Sequence, residues 1–178
     1  MFRARIAALA LVVVAVPAAL VAHPAHSATG GNRVALSPLE SGVLADINAY
    51  RQSHGLVPLR VSGQLTDAAR QHSLSMAARG YFSHDSADGT SFWKRVQHYY
   101  AARSFRYWAV GENLLWSSPD VDASHALQMW IDSPPHRENL LTAKWREVGL
   151  SAVHVAAAPG AFRDLDVTIV TADFGVRR

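Results

Sequence analysis

A single carboxylate, Glu112, stands inside the apolar run Tyr107-Trp108-Ala109-Val110-Gly111-Glu112-Asn113-Leu114-Leu115-Trp116, and any fold this chain adopts has to accommodate it. Burying an ionised carboxylate without partners is costly, or raises its pKa until the group is neutral. Glu112 therefore either ends a strand and faces solvent or belongs to a paired polar site. Candidate partners are His84 and His136, each expected just beyond a helical segment beside turn-forming residues, where a loop can aim a side chain into a cleft.

The start of the chain bears on where such a site would work. Arg3 and Arg5 precede the apolar run Ile6 to Ala22, and Ala25-His26-Ser27 places small residues where a signal peptidase selects them. Residues 1–27 thus read as a secretory signal peptide, 28–36 as a flexible lead-in and 37–178 as one domain. An uncleaved membrane anchor is the alternative, although a run of about 17 residues interrupted by Pro17 is marginal for a span. Cleavage after Ser27 leaves 15 basic and 14 acidic side chains, a net charge of +1. No Lys/Arg cluster interleaved with aromatics is present, so nucleic acid is not an expected partner.

Cysteine is absent although export would lead to a compartment where disulfides form. Stability then has to come from packing, and roughly 150 mature residues suffice for one core. Ser37-Pro38-Leu39-Glu40 offers a capping box with proline at the first helical position, followed by Val43, Leu44, Ile47 and Tyr50 at helical spacing, with Gly55 as the stop. A second helix is expected from about Gln64 to Arg79, stopped by Gly80; His72 lies on its apolar face, as a hydrogen-bonded core histidine or as a functional one. After Gly80 the chain passes through Tyr81 to Asp85 into a loop signature at Ser86 to Gly89, and then into a short helix around Phe92, Trp93 and Val96. A further helix is expected to begin at Ser118-Pro119-Asp120 and to end before Ser133-Pro134-Pro135, burying Trp130 on one face. Arg146 to Val155 and Asp166 to Phe174, divided by Pro159-Gly160, read as two paired strands. Helices followed by a terminal hairpin imply an α+β fold and not a doubly wound parallel sheet.

Several of these segments in order, Asn48-Ala49-Tyr50-Arg51, Gly55-Leu56-Val57-Pro58-Leu59, Met76 to His84, Gly111-Glu112-Asn113, then Trp130 with Ser133-Pro134-Pro135-His136-Arg137-Glu138-Asn139-Leu140-Leu141, resemble the bacterial branch of the CAP superfamily of cysteine-rich secretory, antigen 5 and pathogenesis-related proteins. The resemblance implies a three-layer α-β-α sandwich (the CAP or SCP domain) with a cleft lined by two histidines and two acidic residues. It places His84 and Glu112 in that cleft, with Glu112 in the Gly-Glu-Asn motif. His136 becomes a positional substitute for the histidine of the Gly-His-Tyr-Thr motif, which this chain lacks. Asp88 is the expected fourth member, with Asp85 also available; both read equally as Asx-turn residues capping a loop.

A fold hosts many functions, so the chemistry is argued from the site. Ser83 adjoins His84 in sequence, a poor geometry for a nucleophile and its base, and Ser133 reads as a helix cap. Two imidazoles and one carboxylate, His84, His136 and Glu112, form the ligand set of an open zinc site, so a divalent metal such as zinc is the candidate cofactor. Two functions follow. One is a secreted, non-enzymatic binding module whose cleft takes a small molecule, a lipid or a cell-envelope ligand; the other is a metal-dependent hydrolase of peptides or cell-envelope polymers.

Overall fold

The computed structural model describes residues 14–17, 34–103 and 105–178; the remainder of the leader expected over 1–27 and lead-in residues 28–33 lie outside the described residues. Helix α1 (Pro38–Ser53) starts as its sequence dictates: Ser37 Oγ accepts from the Glu40 amide, and the Glu40 carboxylate accepts from the Ser37 amide at 2.7 Å. The other Glu40 oxygen accepts from the Ala152 amide at 2.9 Å, so the box also pins the helix to the sheet. Helix α2 (Gly63–Arg79) ends at Gly80, whose φ of 66° is the left-handed cap that glycine adopts without strain. A short helix α3 (Phe92–Tyr99) follows.

Helices α4 (Ala123–Asp132) and α5 (Pro134–Leu140) correct the sequence expectation twice. The helix does not begin at Ser118-Pro119: Asp122 Oδ1 accepts from the His125 amide at 2.8 Å, and this cap sets the start four residues later. Nor do Pro134 and Pro135 simply end a helix. Proline at the first helical positions lacks only an amide that has no intrahelical partner, so the pair opens α5, and His136 lies inside that helix instead of in a loop.

The strands are β1 (Val14–Pro17), β2 (Arg60–Val61), β3 (Tyr107–Ser117), β4 (Glu147–Ala158) and β5 (Leu165–Arg177), in spatial order β1-β3-β5-β4-β2. β4 and β5 form the expected antiparallel pair, β5 also pairs antiparallel with β3, and β1 adds four residues to the outer edge of β3 opposite Tyr107 to Val110. The short β2 runs parallel to β4, a contact the sequence does not announce.

Side-chain alternation along the strands divides the interior. Ala109, Leu115, Val170, Ala172 and Phe174 face α1 and α4, where they pack with Val43, Ile47 and Trp130. Trp108, Val110, Leu114 and Trp116 face α2 and α3, with Leu65, Met76, Phe92 and Val96. The result is the three-layer α-β-α sandwich. The α2 layer sits close to the sheet because Gly149 lets it: a Cβ there would lie 2.0 Å from the carbonyl carbon of Leu65.

Trp130 is 1 % exposed, and its indole N–H donates to the Leu114 carbonyl at 3.3 Å. Trp130→Ala should therefore cost roughly 3 to 5 kcal/mol, combining lost burial with a cavity that the sheet beneath it cannot close. Urea unfolding of the two proteins checks this; a loss below about 1 kcal/mol would show that the indole does not carry core packing.

Candidate functional site

Glu112 lies mid-strand in β3 and is 1 % exposed, which disposes of the solvent-facing strand end. Its even position directs it to the α2/α3 face, and two cationic or donor groups meet it there. His84, in the loop after α2, donates from Nδ1 to Glu112 Oε1 at 2.8 Å. Arg95 donates from Nη2 to Glu112 Oε2 and from Nη1 to the His84 carbonyl at 2.7 Å, tying helix, loop and strand together. Burial alone would raise the Glu112 pKa, but the Arg95 charge, the hydrogen bond from His84 and the charge of nearby His72 outweigh it and hold the carboxyl at about 2.

Two members of this cluster escaped the sequence reading. Arg95 shares the i, i+3, i+4 face of α3 with Phe92 and Val96, so an arginine on an apolar helical stripe was the available signal. Asp173 faces Glu112 directly across β3 and β5 and is fully buried. Its clue was the same as for Glu112, a carboxylate in an apolar strand. Neither Asp173 oxygen makes a hydrogen bond that satisfies normal geometry, and burial, then the Glu112 charge, push its carboxyl well above the ordinary range. The pair is thus pushed in opposite directions: Arg95 favours the ionised form of Glu112, while burial and the Glu112 charge favour the protonated form of Asp173.

His72 is the core histidine. Its Nε2 donates to the Ser83 carbonyl at 2.8 Å, and burial lowers its pKa to about 4 despite the Glu112 charge, so it is neutral at physiological pH. Ser83 is structural as well, its Oγ accepting from the Asp85 amide at 3.2 Å. His136 is buried in α5, with Nδ1 bonded to Ser133 Oγ at 2.7 Å; its carbonyl accepts from Asn113 Nδ2 at 3.1 Å, which ties it to β3 one residue beyond Glu112. Ser133 occupies the cap position of α5, but its hydroxyl serves His136 and not the helix amides.

The acids proposed as the fourth cleft member serve the loop. Asp88 is exposed, and its Oδ1 accepts from the Thr90 amide at 2.9 Å; that bond leads in lowering its pKa. Asp85 Oδ1 accepts from the Phe92 amide at 3.1 Å at the start of α3. The acid that stands with Glu112 is Asp173 instead. Asp88 does line an open cleft of about 390 Å³ between α2, α3 and this loop, and Arg95 forms part of the same wall.

Of the three expected zinc ligands, Glu112 has both donor atoms already committed. Both Glu112 oxygens and His84 Nδ1 are already engaged with one another and with Arg95, and a guanidinium at ligand distance opposes a divalent cation. Among the described residues, no group of three or more His, Asp or Glu side chains is arranged to hold a metal ion.

The cluster predicts substitutions of opposite sign at adjacent positions. Glu112→Gln strands the Arg95 charge in the interior and should cost about 3 to 5 kcal/mol at pH 7. Asp173→Asn should stabilise, by on the order of 1 to 3 kcal/mol, because the unfolded acid ionises above pH 3.8 while the buried one does not. The Asp173→Asn gain should shrink as pH falls toward 3.8, where the unfolded wild-type acid also takes up its proton. In the wild type, stability from neutral His72 is lost as pH falls from 6.5 to about 4, and stability from ionised Glu112 is lost from 4.5 to about 2. Urea titrations from pH 7 to 3 measure these slopes; a destabilised Asp173→Asn protein would show that Asp173 is ionised in the fold.

Comparison with known proteins agrees with this architecture. The sequence profile described as "CAP: Cysteine-rich secretory protein family" matches residues 44–173. YkwD, an uncharacterized protein of Bacillus subtilis, is 28% identical over 118 residues, covering 66% of this chain and 44% of that protein. YlbC, an uncharacterized membrane protein of the same organism, is 29% identical over 111 residues, covering 62% of this chain and 30% of its own length. The chain thus spans less than half the length of these curated relatives. Among solved structures, an extracellular protein containing an SCP domain from Bacillus anthracis superposes with a TM-score of 0.55 at 28% identity, covering 82% of this chain and 45% of that one. An outer surface protein of Borrelia burgdorferi shares the fold, with a TM-score of 0.58 at 20% identity over 76% of this chain and 90% of that one. With the profile spanning most of the sandwich and the Gly111-Glu112-Asn113 motif at its polar centre, the chain belongs to the cysteine-rich secretory protein (CAP) family.

Proposed function

We propose that this protein is a secreted CAP-domain binding module without catalytic turnover, in which the Glu112 cluster builds the wall of a ligand cleft. One observation carries this reading: the Arg95 guanidinium that neutralises Glu112 also lines the open cleft of about 390 Å³, a volume in the usual range for small-molecule sites. The cluster therefore fixes a recognition surface. Its carboxylate is spoken for by His84 and Arg95, so it is poorly placed to act as a base or to bind a metal, and Ser83 is turned to its own loop.

Secretion is supported by the charged start, the apolar run and the small residues before Ala28. No helix among the described residues is long and apolar enough to cross a membrane. The SCP-domain relative from Bacillus anthracis is described as extracellular. Cleavage after Ser27 would also remove β1 and bare the edge of β3 at Tyr107 to Val110.

Two measurements test the proposal. Intact-mass analysis of protein recovered from the medium should give a chain beginning at Ala28, whereas residues 1–27 retained in the membrane fraction would replace secretion with anchoring. Incubation with peptide and cell-envelope polymer libraries, with zinc or with a chelator, should yield no product in either case. Product that disappears on chelation and with Glu112→Gln would establish the metal-dependent hydrolase instead.

A further inference from the structure

The chemistry of the cleft follows from two helical stripes. Gln71, Ser75 and Arg79 fall at i, i+4 and i+8 on α2, and Lys94, Arg95 and His98 at i, i+1 and i+4 on α3; the two stripes face each other across the opening. Three of the six are permanent cations. The acid in the lining, Asp88, is held by the Thr90 amide and so serves its own turn. With Arg95 balanced by Glu112, the exposed Arg79 and Lys94 still outnumber that one acid at the mouth.

A second observation lies in the wall itself. Arg95 is only 6 % exposed and spends Nη1 on the His84 carbonyl and Nη2 on Glu112, so its charge is balanced inside the cluster and the exposed Arg79 and Lys94 are the cations a ligand can reach. Two exposed cations on facing helices, with the one acid of the lining engaged in its own turn, favour an anionic oxygen between them. A bare oxyanion would fill only a fraction of the cleft, whose remaining wall offers the amide of Gln71 and the hydroxyl of Ser75, donors and acceptors suited to hydroxyl groups.

We propose that this cleft binds a phosphorylated sugar or polyol, the phosphate held by Arg79 and Lys94 and the hydroxyls by Gln71 and Ser75. The proposal rests on the binding-module reading and gives it a ligand class. A free sugar phosphate and a polyol headgroup in a lipid surface share this chemistry, and the two sources are separable by experiment.

Calorimetry with glucose 6-phosphate should show saturable 1:1 binding that weakens with added salt, with inorganic phosphate weaker and glucose undetectable. Phosphatidylglycerol vesicles, against phosphatidylcholine vesicles, test the headgroup. Binding to either the sugar phosphate or the anionic vesicles supports the proposal and assigns the source. The double variant Arg79→Gln/Lys94→Gln changes two exposed side chains, so it should keep the wild-type melting temperature and lose at least tenfold in affinity. Wild-type protein that binds neither probe, or a variant with undiminished affinity, overturns the ligand class. Failure of this kind without product formation leaves the binding module standing, whereas hydrolysis of the peptide or polymer libraries would remove the module itself.

Discussion

An ionised carboxylate in a dry interior sets the terms for half of this molecule. Glu112 is stable there because Arg95 supplies its countercharge and His84 a hydrogen bond, one from a helix and the other from a loop. Arg95 also holds the His84 carbonyl, so the donor to one carboxylate oxygen is positioned by the donor to the other. The short helix α3 is thus fixed electrostatically as well as by Phe92 and Val96. Asp173 shows the limit of the arrangement. One guanidinium balances one buried carboxylate, and the second is driven toward its protonated form.

The next residue, Asn113, does for the opposite layer what Glu112 does for this one. Strand alternation sends its amide toward α5, where Nδ2 donates to the His136 carbonyl and Oδ1 accepts from Asn139 Nδ2 at 2.9 Å. Asn139 Oδ1 in turn accepts from the Trp145 indole at 3.0 Å. A glutamate–asparagine pair in mid-strand therefore stitches both helical layers to the sheet through satisfied polar contacts. Such contacts specify register more sharply than apolar packing, because a one-residue slip would bury a charge without partners on one face and strand an amide on the other.

The open cleft is a consequence of the same scaffold. α2 and α3 are joined by the loop that Asp85 and Asp88 shape through their own amide contacts, and Arg95 reaches from the buried cluster to the cleft wall. The wall of that cleft is thus fixed in place by a guanidinium held from within. That is a property of a preorganised binding surface, and it is compatible with a family whose fold alone does not name a ligand.

The elements governed by local rules could be read from the chain: the Ser37 capping box, the Gly80 stop, the paired strands around Pro159-Gly160, and the burial of Trp130 and His72. The motif series from Asn48 to Leu141 fixed the fold class, and the isolated charge of Glu112 marked the site with His84 beside it. Tertiary structure decided what depends on partners distant in sequence. Asp173 became the companion acid because β5 pairs with β3 in one register, and Arg95 became the counterion because α3 docks with that stripe inward. Asp88 serves a turn at the cleft rim because its nearest donor is a backbone amide two residues away, whereas the acid beside Glu112 is set by which strands lie side by side. Residue type and spacing can announce that a buried charge needs a partner; only the packing of the layers chooses which one.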